Sequence, residues 1–186
     1  MPSLNVALKE WDTVCRALAS GRQVILLRKG GISETGTGEF QPAHREFLLF
    51  PTFLHQNKQM LKPEAHPDYE ALGTEPSHVT IGVMAQVSDV LRVLDRAKMD
   101  ALDAHHIWTP PLVDMRFAYR PENPLYLLIV RAYRLNKPVT IENTPEYGGC
   151  KSWVPLREAI DVSGATPALD DARFAEERDA IRQRLL

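Results

Sequence analysis

Along the first twenty residues the apolar positions Leu4, Leu8, Trp11, Cys15 and Leu18 recur at spacings of four and three, the spacing of one face of an α-helix. Ser3 stands where an N-cap would sit and Gly21 where a helix would stop, so the pattern predicts an amphipathic N-terminal helix from Leu4 to Leu18. On that stripe Cys15 reads as a buried, unreactive thiol. Val24-Ile25-Leu26-Leu27 follows as an unbroken apolar run closed by Gly30 and Gly31, the pattern of a strand buried on both faces. From Gly30 to Ala43 the chain turns to Gly, Ser, Thr, Glu and Pro, a loop, and strand character resumes at Glu46-Phe47-Leu48-Leu49-Phe50 until Pro51. A short helix fits Phe53 to Leu61. Lys62 to Ser77, with Pro63, Pro67, Gly73 and Pro76, reads as a second loop, and loops of this length are more often functional than short ones.

The sharpest period-two signal sets Val79, Ile81, Val83, Ala85 and Val87 against Thr80, Gly82, Met84 and Gln86, a half-buried strand. We read it as continuing through Leu91 and Val93 past a bulge at Ser88-Asp89. Asp95 to His105 has the composition of a helix, followed by Pro110-Pro111 and a short helix from Leu112 to Tyr119. Leu125 to Leu135 is a long strand with Arg131 and Arg134 on opposite faces, and Val139–Ile141 and Cys150–Val154 are further short strands. From Leu169 to Leu186 the chain opens on Asp170-Asp171, closes on Arg182 and Arg184, and places Phe174, Ile181 and Leu185 on one face, a dipole-matched C-terminal helix. About six strands and three or four helices, without repeats or regular strand–helix alternation, predict an α+β fold. Its sheet would be mainly antiparallel and barrel-like, with flanking N- and C-terminal helices, in one domain spanning 1–186.

Composition narrows the classes. At 186 residues, 44% hydrophobic and 25% charged, the chain is neither disordered nor collagenous nor a coiled coil. Its 22 basic and 24 acidic residues leave a net charge of -2, which excludes a protein coated in positive charge as a non-specific DNA binder would be. The two cysteines, Cys15 and Cys150, lack zinc spacing and cannot build a disulfide framework. Residues 1–9 show no basic segment leading into an apolar run, and the longest apolar stretch falls far short of the roughly 20 residues of a membrane span. These features predict a cytoplasmic protein with no membrane partner.

Most motifs that would name a chemistry are absent. Gly31-x4-Gly36 begins like a phosphate loop, but Thr37-Gly38 stand where its lysine and hydroxyl would be. No lysine has Asp or Glu two positions before it, as a carboxylate-x-lysine nuclease needs, and the six histidines are dispersed or adjacent rather than spaced for a metal. Neither a cofactor nor a metal is expected. Two polar clusters remain, besides the Arg28-Lys29 pair that ends an apolar strand. His44-Arg45-Glu46 puts an imidazole, a guanidinium and a carboxylate at the mouth of a strand, useful for anion recognition or proton transfer and equally explicable as a local ion pair. Tyr147-Gly148-Gly149-Cys150-Lys151-Ser152-Trp153 puts Lys151 and Trp153 on one face of a strand after a Gly-Gly turn. That is a stacking platform beside a phosphate contact, or else a core tryptophan with a snorkelling lysine.

Five blocks carry a resemblance: Leu8-Lys9-Glu10-Trp11, Leu26 to Ile32, His44 to Thr52, His106-Ile107-Trp108-Thr109 and Tyr147 to Val154. They are similar to the signature blocks of a bacterial family known as domain of unknown function 1802. The family has no established activity and supplies no catalytic residues. Some members lie beside restriction-endonuclease-like domains, which implies a nucleic-acid-associated role of restriction or defence type, with a restriction-system protein as partner. The order of elements is also similar to small barrel folds of the pseudouridine-synthase-associated and ASCH types, which bind RNA or modified bases.

The leading expectation is therefore an accessory module that binds nucleic acid or a nucleotide, with Arg28, Lys29, His44, Arg45, Glu46, Tyr147, Lys151 and Trp153 as its binding residues. The arginines would take phosphate and Trp153 would stack a base. The alternatives are a small hydrolase or transferase with His44 as base, Arg28 or Arg45 holding an anion and Glu46 or Glu146 orienting the imidazole, and a structural or protein-interaction module. Whether the protein is an enzyme is left open. The deciding feature is whether blocks 26–32, 44–52 and 147–153 converge on one cleft.

Overall fold

A computed structural model describes residues 2–29, 43–149 and 151–185, so most of the first expected loop and Cys150 lie outside the described residues. Seven strands and four helices are present among them. The strands are β1 (Ser3–Trp11), β2 (Ile25–Lys29), β3 (Glu46–Thr52), β4 (His78–Val93), β5 (Leu125–Glu142), β6 (Trp153–Asp161) and β7 (Thr166–Pro167). The helices are α1 (Asp12–Ala19), α2 (Arg96–Asp100), α3 (Pro110–Ala118) and α4 (Asp171–Leu185), with short 3-10 segments between, the longest at Pro63–Asp68 inside the expected second loop.

The first element corrects the expected N-terminal helix. Leu4 and Leu8 lie on β1, and only Asp12–Ala19 is helical. The same residues carry two periods, because Val6 completes a Leu4, Val6, Leu8 alternation. Pairing on both sides, with β3 and β6, satisfies that alternation and decides against the helix. Gly21 does close α1, at φ +73, a conformation that glycine adopts without strain.

The strand order is β2-β5-β4-β3-β1-β6, with β7 paired to β5. All neighbours are antiparallel except β1 and β3, which run parallel from Ala7 opposite Leu48 to Trp11 opposite Thr52. The sheet is thus mixed, has seven strands rather than six and does not close into a barrel. The long β4–β5 ribbon bears out the continuation past Ser88-Asp89, with a register shift between Val87 and Asp89 and another between Ile81 and Val83. Other limits move. Val139–Ile141 belongs to β5, β6 begins at Trp153 rather than Cys150, and the helix expected over 53–61 is one turn at Lys58–Met60. The Asp95–His105 helix is broken into α2 and a turn at Asp103–His105.

Apolar residues of alternate parity build a core on each side of β3: Phe47 and Leu49 join Leu8, α1, β2 and α4, while Leu48 and Phe50 join Ala7, Ile81, Tyr147 and Ile160. As expected, β2 is buried on both faces. Helix α4 is tied on by Arg131 to Asp171, by Arg182 to Asp89 at 3.1 Å and by His105 to Glu177 at 2.8 Å.

Two stability predictions follow from this packing. A Cβ on Gly21 would stand 2.5 Å from Leu169 Cδ2 and 2.8 Å from its Cγ, at positive φ. Gly21→Ala should therefore lower stability by about 1–3 kcal/mol in denaturant unfolding. His106 is buried, and its Nδ1 accepts the Trp108 N–H at 3.2 Å. Burial, with Lys62 adding to it, holds its pKa down at about 4 instead of 6.5. Between those values the unfolded chain binds a proton that the folded chain refuses. The stability His106 contributes is complete above pH 6.5 and falls by about 3 kcal/mol as the pH drops to 4. His106→Asn keeps an acceptor for Trp108 but does not titrate, so urea unfolding should show the wild type losing about that much relative to the variant across the window.

Candidate functional site

Because β1 and β3 are parallel, they end together at Trp11 and Thr52. The C-terminal end of β2 brings Arg28 and Lys29 to the same place, the end of α3 brings Arg116, Tyr119 and Arg120, and the connection from β5 to β6 brings Asn143, Thr144, Tyr147 and Lys151 with their neighbours. These segments enclose an open cleft of about 830 Å³, within the range of roughly 300–1,000 Å³ typical of small-ligand sites.

Six cationic side chains line it, Lys9, Arg28, Lys29, Arg116, Arg120 and Lys151, against two carboxylates, Glu10 and Glu75. The difference, 6 − 2, is a local formal charge of +4 in a chain whose total is -2. Both carboxylates are engaged by the protein itself. Glu10 accepts from Arg28 at 2.8 Å through Oε2 and from the Trp11 N–H at 2.9 Å through Oε1. Glu75 accepts from the N–H groups of Phe53, at 3.1 and 3.2 Å, and Leu54, at 2.9 Å.

Several cations are positioned by backbone carbonyls. Arg28 donates to Lys9 O at 3.1 Å and Leu27 O at 2.9 Å. Lys29 Nζ holds the exit of α3 through Phe117 O at 3.2 Å and Asn123 O at 3.0 Å. Lys9 Nζ reaches Gly149 O at 3.1 Å, and Lys151 Nζ reaches Glu146 O at 3.4 Å. Arg116 donates no hydrogen bond to a described residue. Burial pushes its guanidinium pKa down, opposed by Glu10 and reinforced by Arg28. Arg120 lies over the Tyr119 ring at 5.2 Å and is the single non-glycine among the described residues at positive φ, +45.

Five buried side-chain polar atoms among the described residues lack a partner, and three belong to this cleft: Arg28 Nε, Arg116 Nε and Thr144 Oγ1. Native interiors satisfy nearly all such atoms, so the cleft wall is where polar satisfaction is least complete among the described residues.

The blocks expected to converge do so in part. Arg28, Lys29, Tyr147 and Lys151 line the cleft; His44, Arg45, Glu46 and Trp153 do not. Trp153 pairs with Leu8 in the β1–β6 ladder and packs edge-on against Phe47 and His44, each with ring centroids 5.0 Å apart. It is partly buried and packs against the core, separated from Lys151, which precedes β6. Glu46 accepts from Gln86 at 3.0 Å across the β3–β4 pair. Glu146 pairs with Arg157 at 3.0 Å, and that guanidinium holds its carboxyl below the usual range. Tyr147 is structural as well as lining, its hydroxyl accepting from the Arg157 N–H at 3.1 Å.

Sequence reasoning missed Glu10, Trp11, Arg116, Tyr119, Arg120 and Thr144. The one signal available was Arg116-Phe117-Ala118-Tyr119-Arg120-Pro121, a basic and aromatic run broken by proline. Among the described residues, no group of three His, Cys, Asp or Glu side chains is placed to hold a metal ion.

Comparison with curated proteins finds no match. Among solved structures, the chain is similar to a crystal structure of a mutant ZmASCH protein from Zymomonas mobilis, with 10% identity and a TM-score of 0.47, over 82% of this chain and 90% of that one. At that level the similarity supports no argument about this protein. The match that does is to a family model covering residues 7–180, which spans every element from β1 into α4 and all the described residues that line the cleft: the chain belongs to the family described as Domain of unknown function (DUF1802).

Proposed function

We propose that the protein is a nucleic-acid-binding module that takes single-stranded nucleic acid into this cleft. One nucleotide would have its phosphate among the cationic groups and its base against an aromatic face of the rim. The observation that carries this reading is the convergence of six cations on one concavity of a chain with net charge -2. Charge spread over a surface would favour duplex backbone, whereas charge gathered in a cleft favours an unstacked nucleotide that can enter it. Tyr119, 54% exposed with the Arg120 guanidinium over its ring, offers the aromatic group on which a base can stack; the packing of Trp153 against Phe47 and His44 takes that role away from it.

Both cleft carboxylates are engaged by the protein's own donors, which favours binding over acid–base chemistry. The hydrolase alternative gains less support, since His44 turns to Trp153 outside the cleft and Glu146 is engaged by Arg157. An accessory place in a restriction or defence system is the setting that we attach to this reading.

Fluorescence titration of labelled single-stranded and duplex oligonucleotides tests it. At about 50 mM salt the single strand should bind in the micromolar range and more tightly than the duplex. The double variant Arg120→Ala, Lys151→Ala should bind about tenfold or more weakly, with the slope of log K against log salt reduced by about 1.4. Affinity weaker than millimolar for every oligonucleotide, or no response to the double variant, would overturn the proposal.

The backbone at Arg120 supplies a separate check. A non-glycine residue at φ +45 is strained, and strain is retained where the side chain is needed. Arg120→Gly should leave the fold as stable or up to about 1 kcal/mol more stable, yet weaken single-strand binding severalfold. Urea unfolding and the same titration read the two effects, and unchanged affinity would remove Arg120 from the site.

A further inference from the structure

The two ends of the cleft differ in chemistry. Lys29 ties the end of β2 to the exit of α3 through Phe117 O and Asn123 O, which gathers arginines and lysine at one end. The other end is a polar corner that three segments build together. Glu75 reaches the N–H groups of Phe53 and Leu54, and Asn143 is fixed to the residues that follow Glu75, its N–H donating to Ser77 O at 2.8 Å and its Nδ2 to Pro76 O at 3.0 Å. Glu75, Asn143 and Thr144 line the cleft there.

Thr144 is the telling member. It is 7% exposed, and its hydroxyl has no partner among the described residues. It precedes the turn Pro145–Tyr147, a place where a threonine hydroxyl ordinarily accepts a backbone N–H, yet here only its carbonyl does so, from Tyr147 at 2.9 Å. The hydroxyl thus stands in the cleft wall free of the local bond that would use it up, and a buried hydroxyl in that state costs stability until a partner completes it.

The remaining capacity of the corner is to accept. With Nδ2 committed to Pro76 O, Asn143 keeps its Oδ1, which accepts from no described residue. Glu75 receives two N–H groups where a carboxylate has room for about four. Two acceptors and a hydroxyl match a base edge with two donors beside an acceptor. Among the common bases guanine has that edge, N1–H and the 2-amino group beside O6, whereas thymine and uracil set two carbonyls around one N–H. The Glu75 charge also turns phosphate away from this corner and toward the cationic end. We infer that the Glu75–Asn143–Thr144 corner reads the edge of one base of the strand and selects guanine, Thr144 donating to O6 while Asn143 and Glu75 accept the N–H groups. This rests on the nucleic-acid reading above and adds a sequence preference to it.

The experiment uses the full chain and single-stranded oligothymidylates of one length, whose central base is left as thymine or replaced by guanine, hypoxanthine, adenine or cytosine, titrated at constant ionic strength. The guanine strand should bind about fivefold or more tightly than the all-thymine strand, the worth of one or two hydrogen bonds, and hypoxanthine, which lacks the 2-amino group, should fall between them. Thr144→Val keeps the shape and loses the hydroxyl, so the guanine-to-thymine ratio should shrink to within about twofold. Its thermal midpoint should be no lower than that of the wild type, because the hydroxyl has no bond within the protein to lose.

Equal affinity for all five strands would overturn the base-reading inference while leaving single-strand binding intact, and so would a preference for another base or a guanine preference that persists in Thr144→Val. A midpoint of Thr144→Val well below the wild type would also overturn it, by showing that a buried water or the protein already satisfies the hydroxyl. If no strand binds but guanosine monophosphate raises the thermal midpoint of the wild type and not of the variant, the strand reading falls and the guanine corner stands; if neither strand nor nucleotide acts, both fall.

Discussion

The structure turns on a seam that backbone pairing leaves open. Strands β2 and β1 are separated along the sheet by β5, β4 and β3, yet Arg28 of β2 reaches the carbonyl of Lys9 and the carboxylate of Glu10 at the end of β1. The sheet curls far enough to bring its edge back toward β1, but it is bridged there by one guanidinium rather than by a ladder of N–H and C=O groups. The cleft is the space that this incomplete closure leaves. A pair buried to this degree gains little net energy over an apolar filling, and the loss of either member would strand the other's charge. The bridge is better understood as fixing where the two strands stand than as a source of stability.

The surrounding elements explain why the seam stays in one place. Strand β3 is buried on both faces, so alternate residues anchor it into two cores, and its parallel partner β1 inherits that rigidity. Helix α1 follows β1 without a loop and is buried along most of its length, with Gln56 accepting from both the N–H and the hydroxyl of Thr13 beneath it. The wall that carries Lys9 and Glu10 is thus anchored by packing on both sides of the sheet. The opposite wall, from α3 and the Asn143–Ser152 segment, is held by lysine contacts to main-chain carbonyls. Such contacts suit a rim more than a core, because a long side chain holds a loop without fixing its every angle.

Elements whose pattern had one meaning were legible in the sequence. The apolar run of β2, the alternation of β4 and its bulge at Ser88-Asp89 each satisfy a single period, and the structure keeps them. The N-terminus was misread because Leu4, Leu8 and Trp11 fit a helix as well as Leu4, Val6 and Leu8 fit a strand. The choice belongs to a parallel pairing with residues some forty positions away, which leaves no local trace. The site divides the same way. Arg28, Lys29 and Lys151 were visible because they end a strand or follow a Gly-Gly turn, where polar groups reach solvent. Arg116 looked like an ordinary helix arginine, and Glu10 like the polar side of a helix that does not form. Trp153 fits a stacking role in the sequence alone, because a tryptophan near a lysine does not reveal that the strand starts between them; the reading proposed above gives that role to Tyr119 instead.

Net charge is a poor guide to such a site. A total of -2 speaks for the whole surface, yet a ligand arriving at the seam meets six cations and two carboxylates already engaged by the protein. Electrostatic attraction is set within about a Debye length, roughly 8–10 Å in ordinary salt, so the acidic residues elsewhere do little to cancel it. The same seam gathers the unpartnered Nε atoms of Arg28 and Arg116, the unpartnered hydroxyl of Thr144 and the positive φ of Arg120. Each of these costs stability, and together they break the agreement between local and global structure that the rest of the chain observes. Apolar residues would fill the seam at less cost, which is why a binding role accounts for these residues better than a packing role does.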